Sequence, residues 1–432
     1  MNVAFACVVA LVTQSTPKPL SSTELPKFVA GLDAAMRAPN EKQALAAFAR
    51  VEALAERLDP MDFEVLLRDA VPGRPKKWKP GFTHGLEFTS GDTKFRYSIH
   101  LPKKAPQGLL PLVVDPGHIS FAKKTDAECE AVMTTWLGLT GATDDVIYVR
   151  TRVFDQLEVA GDYATYCEPQ RPKGKPDHDW MATALLDCIA DASRRFPVDP
   201  DRVVIHGISM SAYWAWYAAA FAPDRFAAVV PVGSRTWHVR KLLPSYLATN
   251  VFVLHGEKDE VCAFDEARET VAELKQLGAP ATLVNVQDGE HVKNTFPRWA
   301  SLWTDVAACV RKCDPKTIAR VGHSAERSGA FWLDVERLQQ RAYSVGAPPI
   351  ELKATRDGNS ISIEAKGVES LRVLLSPRFV DLARPVTITV NGAKVHDGKV
   401  PFDSKAAFRA VWRRGDGGAA YAASVVVAVP KR

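Results

Sequence analysis

Residues 205–214 read IHGISMSAYW. An apolar run, RVVIHG (202–207), leads into this stretch, and a helix-like run, SAYWAWYAAAFA (211–222), leads out of it. Small residues therefore sit at the seam between a buried strand and a helix. Where such a backbone turns sharply, side chains two residues either side of the apex collide with neighbouring backbone. Gly207 and Ser211 hold those two positions around Ser209. A turn of this kind lifts the apical hydroxyl above a sheet. The helix starting near Met210 directs amides and the positive end of its dipole at that hydroxyl, which favours developing negative charge. The second small position is serine, not glycine, and an ordinary tight turn reads the same way. The choice depends on whether a base and an acid follow in matching settings.

Both follow. In VFVLHGEKDEVCAF (251–264) an apolar strand ends at Gly256, and Asp259 sits in the loop beyond it. A carboxylate there can orient an imidazole and stabilise its cation. The plainer reading of Asp259 is a helix cap, but the next helix has its own at Asp265. Glu257 and Glu260 are the alternative acids, from less favourable loop positions. In VNVQDGEHVKNTFPRW (284–299), His291 follows a strand and a glycine turn and precedes a terminal amphipathic helix; no other of the ten histidines does so after Asp259. The plainer reading of His291 is a surface-loop residue. The chain order Ser, Asp, His matches one group of catalytic triads. Three such residues in that order, each at a strand end, are far more specific than any one of them.

The surrounding pattern sets the fold class. LLPLVVD (109–115), DDVIYVR (144–150), FAAVVPVG (226–233), NVFVLHG (250–256) and ATLVNVQ (281–287) are short, continuous apolar runs, as expected of strands buried on both faces. Between them lie helix patterns at 179–196, 211–222, 265–278 and 297–313. The spacing predicts an α/β architecture: a mostly parallel sheet with helices on both faces. Ahead of these runs, TKFRYSIHLP (93–102) alternates Phe95, Tyr97, Ile99 and Leu101 with polar residues, which predicts an antiparallel strand.

The ends differ in character. Residues 18–75 read as a helical segment, with a capping start in STELPKFVAGLDAAMRA and one amphipathic helix over EKQALAAFARVEALAERL (41–58). The catalytic unit is expected over 76–315 and a linker over 316–345. A small all-β domain is expected over 346–432, where Asn391-Gly392 signals a tight hairpin. Residues 1–17, MNVAFACVVALVTQSTP, form a short apolar block like a secretory signal without the usual positive start; the expectation is a secreted or periplasmic protein. The block is too short to span a bilayer.

Composition excludes several classes. The chain has 432 residues, 47% hydrophobic and 24% charged, enough for more than one buried core. A formal charge of +5 with no long basic run argues against nucleic-acid binding; RPKKWK (74–79) reads as a solvated loop. Six cysteines remain after the leading block, an even number that permits disulfides without defining a pairing. None forms a zinc-type pair of pairs, so no metal is expected.

On DPDRVVIHGISMSAYWAW, PDRFAAVVPVGS, VFVLHGEKDEVC and DGEHV, the chain over about residues 80–315 resembles the α/β-hydrolase family. Within it the likeness is to bacterial esterases of the polyhydroxybutyrate-depolymerase, feruloyl-esterase and carboxylesterase kind. The resemblance implies Ser209 as nucleophile, His291 as general base and then acid, and Asp259 as the orienting carboxylate. It implies an oxyanion hole made by the amides of Met210 and of a turn in PLVVDPGHIS. There Pro116 replaces the usual histidine and lacks an amide, leaving His118 as the donor. No cofactor is implied. The expected substrate is a small-molecule or polymeric ester. Tyr213, just past the nucleophile, and Arg235, Trp237 and His238, in the loop after another strand end, are the candidate substrate contacts. Two other readings stand beside the esterase: a serine peptidase of the oligopeptidase type, and a non-catalytic carbohydrate- or partner-binding protein on the same scaffold.

Overall fold

Alternating burial along the central strands explains why they sit where they do. In the computed structural model, which describes residues 19–73, 75, 77–117, 125–153, 178–292, 294–322, 329–339 and 350–430, Val204 packs into one apolar layer and Ile205 into the other. Val229 and Val230 divide in the same way. Strands that bury both faces need helices on both sides. Met210–Phe221, Phe264–Gln276 and His178–Arg195 cover one face, and Asp126–Thr140 and Trp299–Ala307 the other.

The sheet has eight strands: β1 (Gly81–Ser90), β2 (Thr93–Leu101), β3 (Leu110–Asp115), β4 (Ile147–Thr151), β5 (Val198–Ile208), β6 (Ala228–Val232), β7 (Asn250–Gly256) and β8 (Ala281–Val286). Their order is β1-β2-β4-β3-β5-β6-β7-β8. The β1–β2 hairpin is antiparallel, with Phe88 opposite Phe95, and β2 pairs antiparallel with β4. All remaining pairs are parallel. Strand order, the antiparallel β2 and the helices on both faces give the α/β-hydrolase architecture that the sequence predicts. The carboxyl ends of β5, β7 and β8 open on the same edge, where ligands bind in open α/β sheets.

The termini depart from the sequence expectation in three places. First, residues 41–58 form two helices, Glu41–Phe48 and Glu52–Ala55. The break falls at Val51, at φ −122°, where the side chain packs so closely on Gly31 that a Cβ there would lie 2.3 Å from Val51 Cγ1. Close approach of the first helix (Glu24–Met36) has overridden helical periodicity. Second, the expected linker contains strands β9 (Thr317–Gly322) and β10 (Leu333–Leu338). They belong to two C-terminal sheets, completed by β11 (Ile350–Asp357), β12 (Ser360–Lys366), β13 (Val368–Leu375), β14 (Val386–Val390), β15 (Ala393–Gly398) and β16 (Ala423–Ala428). The sheet orders are β10-β13-β16 and β15-β14-β12-β11-β9, and they enclose one apolar core. β14 turns into β15 at Asn391-Gly392, both at positive φ, as a tight hairpin requires.

Third, this region is not all β. Helix Ser404–Arg414 is capped by Asp403, whose carboxylate accepts from the Ala406 amide at 2.8 Å, and ends at Gly415 at φ 56°. Its Phe408 stacks on Phe48, centroids 4.3 Å apart, inside the core of the N-terminal helices. The two ends of the chain thus complete one another. Neither could bury its apolar stripe alone.

Candidate active site

Ser209 stands at the end of β5 with φ 55° and ψ −116°. A non-glycine residue held there carries roughly 1–3 kcal/mol of backbone strain, which persists only when its surroundings fix it. They do. The Ser209 amide donates to the Val232 carbonyl at 2.8 Å. Ser211 Oγ accepts from the Ile208 amide at 2.7 Å and donates to its carbonyl at 2.9 Å. The serine at the second small position therefore staples the turn from inside. A Cβ on Gly207 would lie 2.3 Å from the Ser211 backbone, so glycine is required at the first position.

Asp259 is held by the loop after β7. One carboxylate oxygen, Oδ1, accepts from the amides of Val261 (2.9 Å) and Cys262 (2.7 Å). The His291 loop is tied to the same region, because the Lys258 amide donates to the Gly289 carbonyl at 2.8 Å. His291 Nδ1 lies 2.9 Å from Asp259 Oδ2 and 3.1 Å from Oδ1, and its Nε2 lies 3.0 Å from Ser209 Oγ. A carboxylate only accepts, so Nδ1 carries the proton and Nε2 is left to accept from the serine hydroxyl. The carboxylate is fully buried, while the imidazole is 24% exposed.

Three further residues complete this arrangement, and sequence reading did not assign them to it. Gly233, after β6, has φ 53°, and a Cβ there would lie 2.4 Å from the His291 carbonyl and 3.4 Å from both Asp259 Oδ2 and His291 Nδ1. Its only sequence signal is a glycine at a strand end. His255 is buried, and its Nε2 lies 3.2 Å from Asp259 Oδ2. Asp115, at the end of β3, accepts from the Gly117 amide at 2.8 Å and pairs with the buried guanidinium of Arg150. Thr151 Oγ1 donates to the Pro116 carbonyl at 2.5 Å. These contacts shape the turn from which the second oxyanion donor was expected. His118 lies outside the described residues. Met210 opens the helix, so its amide has no intrahelical partner one turn back.

The four expected substrate contacts do not line the cavity beside Ser209. Tyr213 is buried and stacked on His238, ring centroids 3.6 Å apart. Arg235 Nη2 donates to the Val261 carbonyl at 3.0 Å, and Trp237 is exposed. None of them borders the cavity of about 410 Å³ that opens beside Ser209 and His291. That cavity extends to the opposite side, towards Trp136, Tyr148, Arg150, His206 and Trp299. Helical position after the nucleophile placed Tyr213 near the site, but its side chain packs into the helix-covered core.

Asp259, Cys262 and His291 bring donor atoms within 4.8 Å of one another. Burial, helped by the neighbouring Asp259 carboxylate, raises the Cys262 thiol to about 11, so it is protonated near neutrality and a poor metal ligand. Cys188, Cys309 and Cys313 also stand as thiols; Cys7 and Cys167 lie outside the described residues.

No protein-family model and no curated protein matches the chain. Among solved structures, it is similar to a thermostable esterase (18% identity, TM-score 0.40), with 53% of this chain and 63% of that one covered. It is similar also to an alpha-beta serine hydrolase homologue from Coxiella burnetii (14%, TM-score 0.38, covering 54% and 98%). A third is the Pyrococcus horikoshii acylaminoacyl peptidase (15%, TM-score 0.39, covering 54% and 42%). The chain therefore spans less than two thirds of the esterase and less than half of the peptidase.

Proposed function

We propose that this protein is a serine hydrolase that cleaves carboxylic esters through an acyl-enzyme. The observation that carries the reading is the pair of contacts Ser209 Oγ–His291 Nε2 (3.0 Å) and His291 Nδ1–Asp259 Oδ2 (2.9 Å), built on a serine in strained backbone. In this reading Ser209 Oγ attacks the ester carbonyl carbon as its proton passes to Nε2. Charge then develops on the carbonyl oxygen, and the Met210 amide at the helix start is placed to stabilise it. The bond to the alcohol oxygen breaks, and the alcohol leaves with the proton from Nε2. Water attacks the acyl-enzyme, giving a proton to Nε2; the Oγ–carbon bond breaks and Oγ recovers that proton. Asp259, buried and fixed by two amides, stabilises the imidazolium in both halves.

The test is turnover of p-nitrophenyl butyrate and covalent labelling by a serine-directed phosphonate, each compared with Ser209→Ala. Loss of a triad nucleophile typically removes several orders of magnitude in kcat. We expect a loss of at least ~10³-fold and no labelling of the variant. Cleavage of peptide amides without ester turnover would favour the peptidase reading. A wild-type protein inert to both substrate and phosphonate would leave the scaffold a binding protein.

A further inference from the structure

The cavity beside Ser209 has a definite chemistry, and its use rests on the hydrolase reading just given. Its walls are Val132 and Leu139 from the helix Asp126–Thr140, with Trp136, Phe296 and Trp299. Trp136 and Trp299 meet edge to face at 90°, and Trp136 stacks on the rings of Tyr148 and His206. At about 410 Å³ it falls at the small end of the usual range for ligand pockets, ~300–1,000 Å³.

The charged groups at its floor are engaged with one another, while the buried His206 Nδ1, Trp136 Nε1 and Trp299 Nε1 have no hydrogen-bond partner among the described residues. Arg150 and Asp115 form an ion pair in which both side chains are 4% exposed. The Tyr148 hydroxyl lies 2.9 Å from His206 Nε2 and 3.4 Å from Asp115 Oδ2. Burial lowers His206 to about 4, so its ring is neutral near pH 7. Among the described residues the floor thus carries one positive and one negative charge, paired with each other, and no net charge. A charged group entering this cavity would be desolvated without compensation, whereas an apolar group gains from leaving water.

The two halves of an ester are distinguishable here. Leaving alcohol and incoming water must use the same place beside His291 Nε2, since one step is the reverse of the other in form. That place must reach solvent, and the imidazole is 24% exposed. The cavity, bordered by Ser209 and walled by apolar and aromatic side chains, suits the half that stays bound to Oγ. We infer that this cavity is the acyl subsite and that it takes an uncharged, apolar acyl group of medium size, in preference to acetyl and against acyl groups bearing a carboxylate.

The experiment compares kcat/KM for p-nitrophenyl acetate, butyrate, octanoate and hemisuccinate, which share one leaving group. Octanoate is expected to exceed acetate at least tenfold, and hemisuccinate to fall at least tenfold below butyrate. Val132→Trp, which puts bulk at a half-buried wall position, should lower the octanoate-to-acetate ratio at least tenfold. Acetate as the best substrate, hemisuccinate equal to butyrate, or an unchanged ratio in the variant would overturn the inference while leaving the hydrolase reading intact. Turnover-independent binding closes the remaining gap. Calorimetry on the Ser209→Ala protein should detect octanamide, with at least tenfold weaker binding of acetamide. Equal binding of the two overturns the subsite even if no ester is ever cleaved.

Discussion

His255 Nε2 lies 3.2 Å from Asp259 Oδ2, the same oxygen that His291 Nδ1 approaches at 2.9 Å. The catalytic carboxylate candidate therefore sits between two imidazoles. His255 Nε2 is also 2.8 Å from the Cys262 carbonyl. A carbonyl and a carboxylate both only accept, so Nε2 of His255 must carry the proton. Its Nδ1 has no hydrogen-bond partner among the described residues, and burial holds the ring below the ordinary imidazole pKa. His255 is a neutral N–H donor that fixes the loop of Asp259 from behind. It is a positioning residue; it touches no reacting atom.

This assignment predicts a split between kinetic constants. His255→Leu removes the donor but keeps the buried volume, and we expect kcat to fall about tenfold, or ~1.4 kcal/mol, with KM within twofold. Without the donor, Asp259 attracts the His291 proton more strongly, so the acid limb of the kcat/KM profile should move to higher pH. His255→Gln, whose amide N–H reaches about as far as Nε2, should recover part of the rate. A pH profile identical to wild type in the Leu variant would reduce His255 to a packing residue.

Gly233 supplies a second prediction. At φ 53° an L side chain is strained, and a Cβ would come within 2.4 Å of the His291 carbonyl. The His291 backbone would have to move, and the 3.0 Å contact from Nε2 to Ser209 Oγ with it. A misplacement of about 1 Å can cost on the order of 10²-fold in rate. Gly233→Ala should therefore lose about that factor in kcat while remaining folded by circular dichroism. Retention of more than a third of wild-type kcat would show that the two loops slide freely past each other.

These two residues also show what a single sequence reveals of such a site. Ser209, Asp259 and His291 are legible because each lies just past a strand end and their order restricts their roles. The sheet is legible because strands buried on both faces are apolar without interruption, as in RVVIHG and NVFVLHG. Gly233 and His255 act through distances between loops that are remote in sequence, and no local pattern encodes those distances. That Tyr213, Arg235, Trp237 and His238 do not line the cavity beside Ser209 has a similar reason. The aromatic run after Ser209 is visible as a helix, but which ring faces the core depends on tertiary packing, and Trp136, over seventy positions earlier, supplies a wall instead. The helix Ser404–Arg414 was hidden among β segments, although Asp403 before it and Gly415 after it are ordinary start and stop residues.

The last prediction concerns how the C-terminal region is fastened to the catalytic unit. Asp416, which follows that helix, is buried and accepts from Arg311 Nη1 (2.8 Å), Arg311 Nη2 (2.6 Å) and Arg225 Nη1 (3.1 Å). Burial alone would raise its pKa, but Arg311 and Arg225 overcome that and hold the carboxyl well below its ordinary value of 3.8. A depressed folded-state pKa means that the unfolded chain binds the proton more readily. The stabilisation is therefore fully present above the unfolded value, near 3.8, and is lost progressively as pH falls below it. Neutralising one partner of a buried pair leaves uncompensated charge, at a cost of roughly 3–5 kcal/mol. Asp416→Asn should lower the free energy of urea unfolding at pH 7 by that amount, read as a lower midpoint. Below pH 3 the difference from wild type should shrink, because the wild-type carboxylate is losing its advantage there too. Wild-type and variant proteins with the same urea midpoint at pH 7 would mean that the arginines find other acceptors, and that the shared core around Phe48 and Phe408 holds the two ends together without this ion cluster.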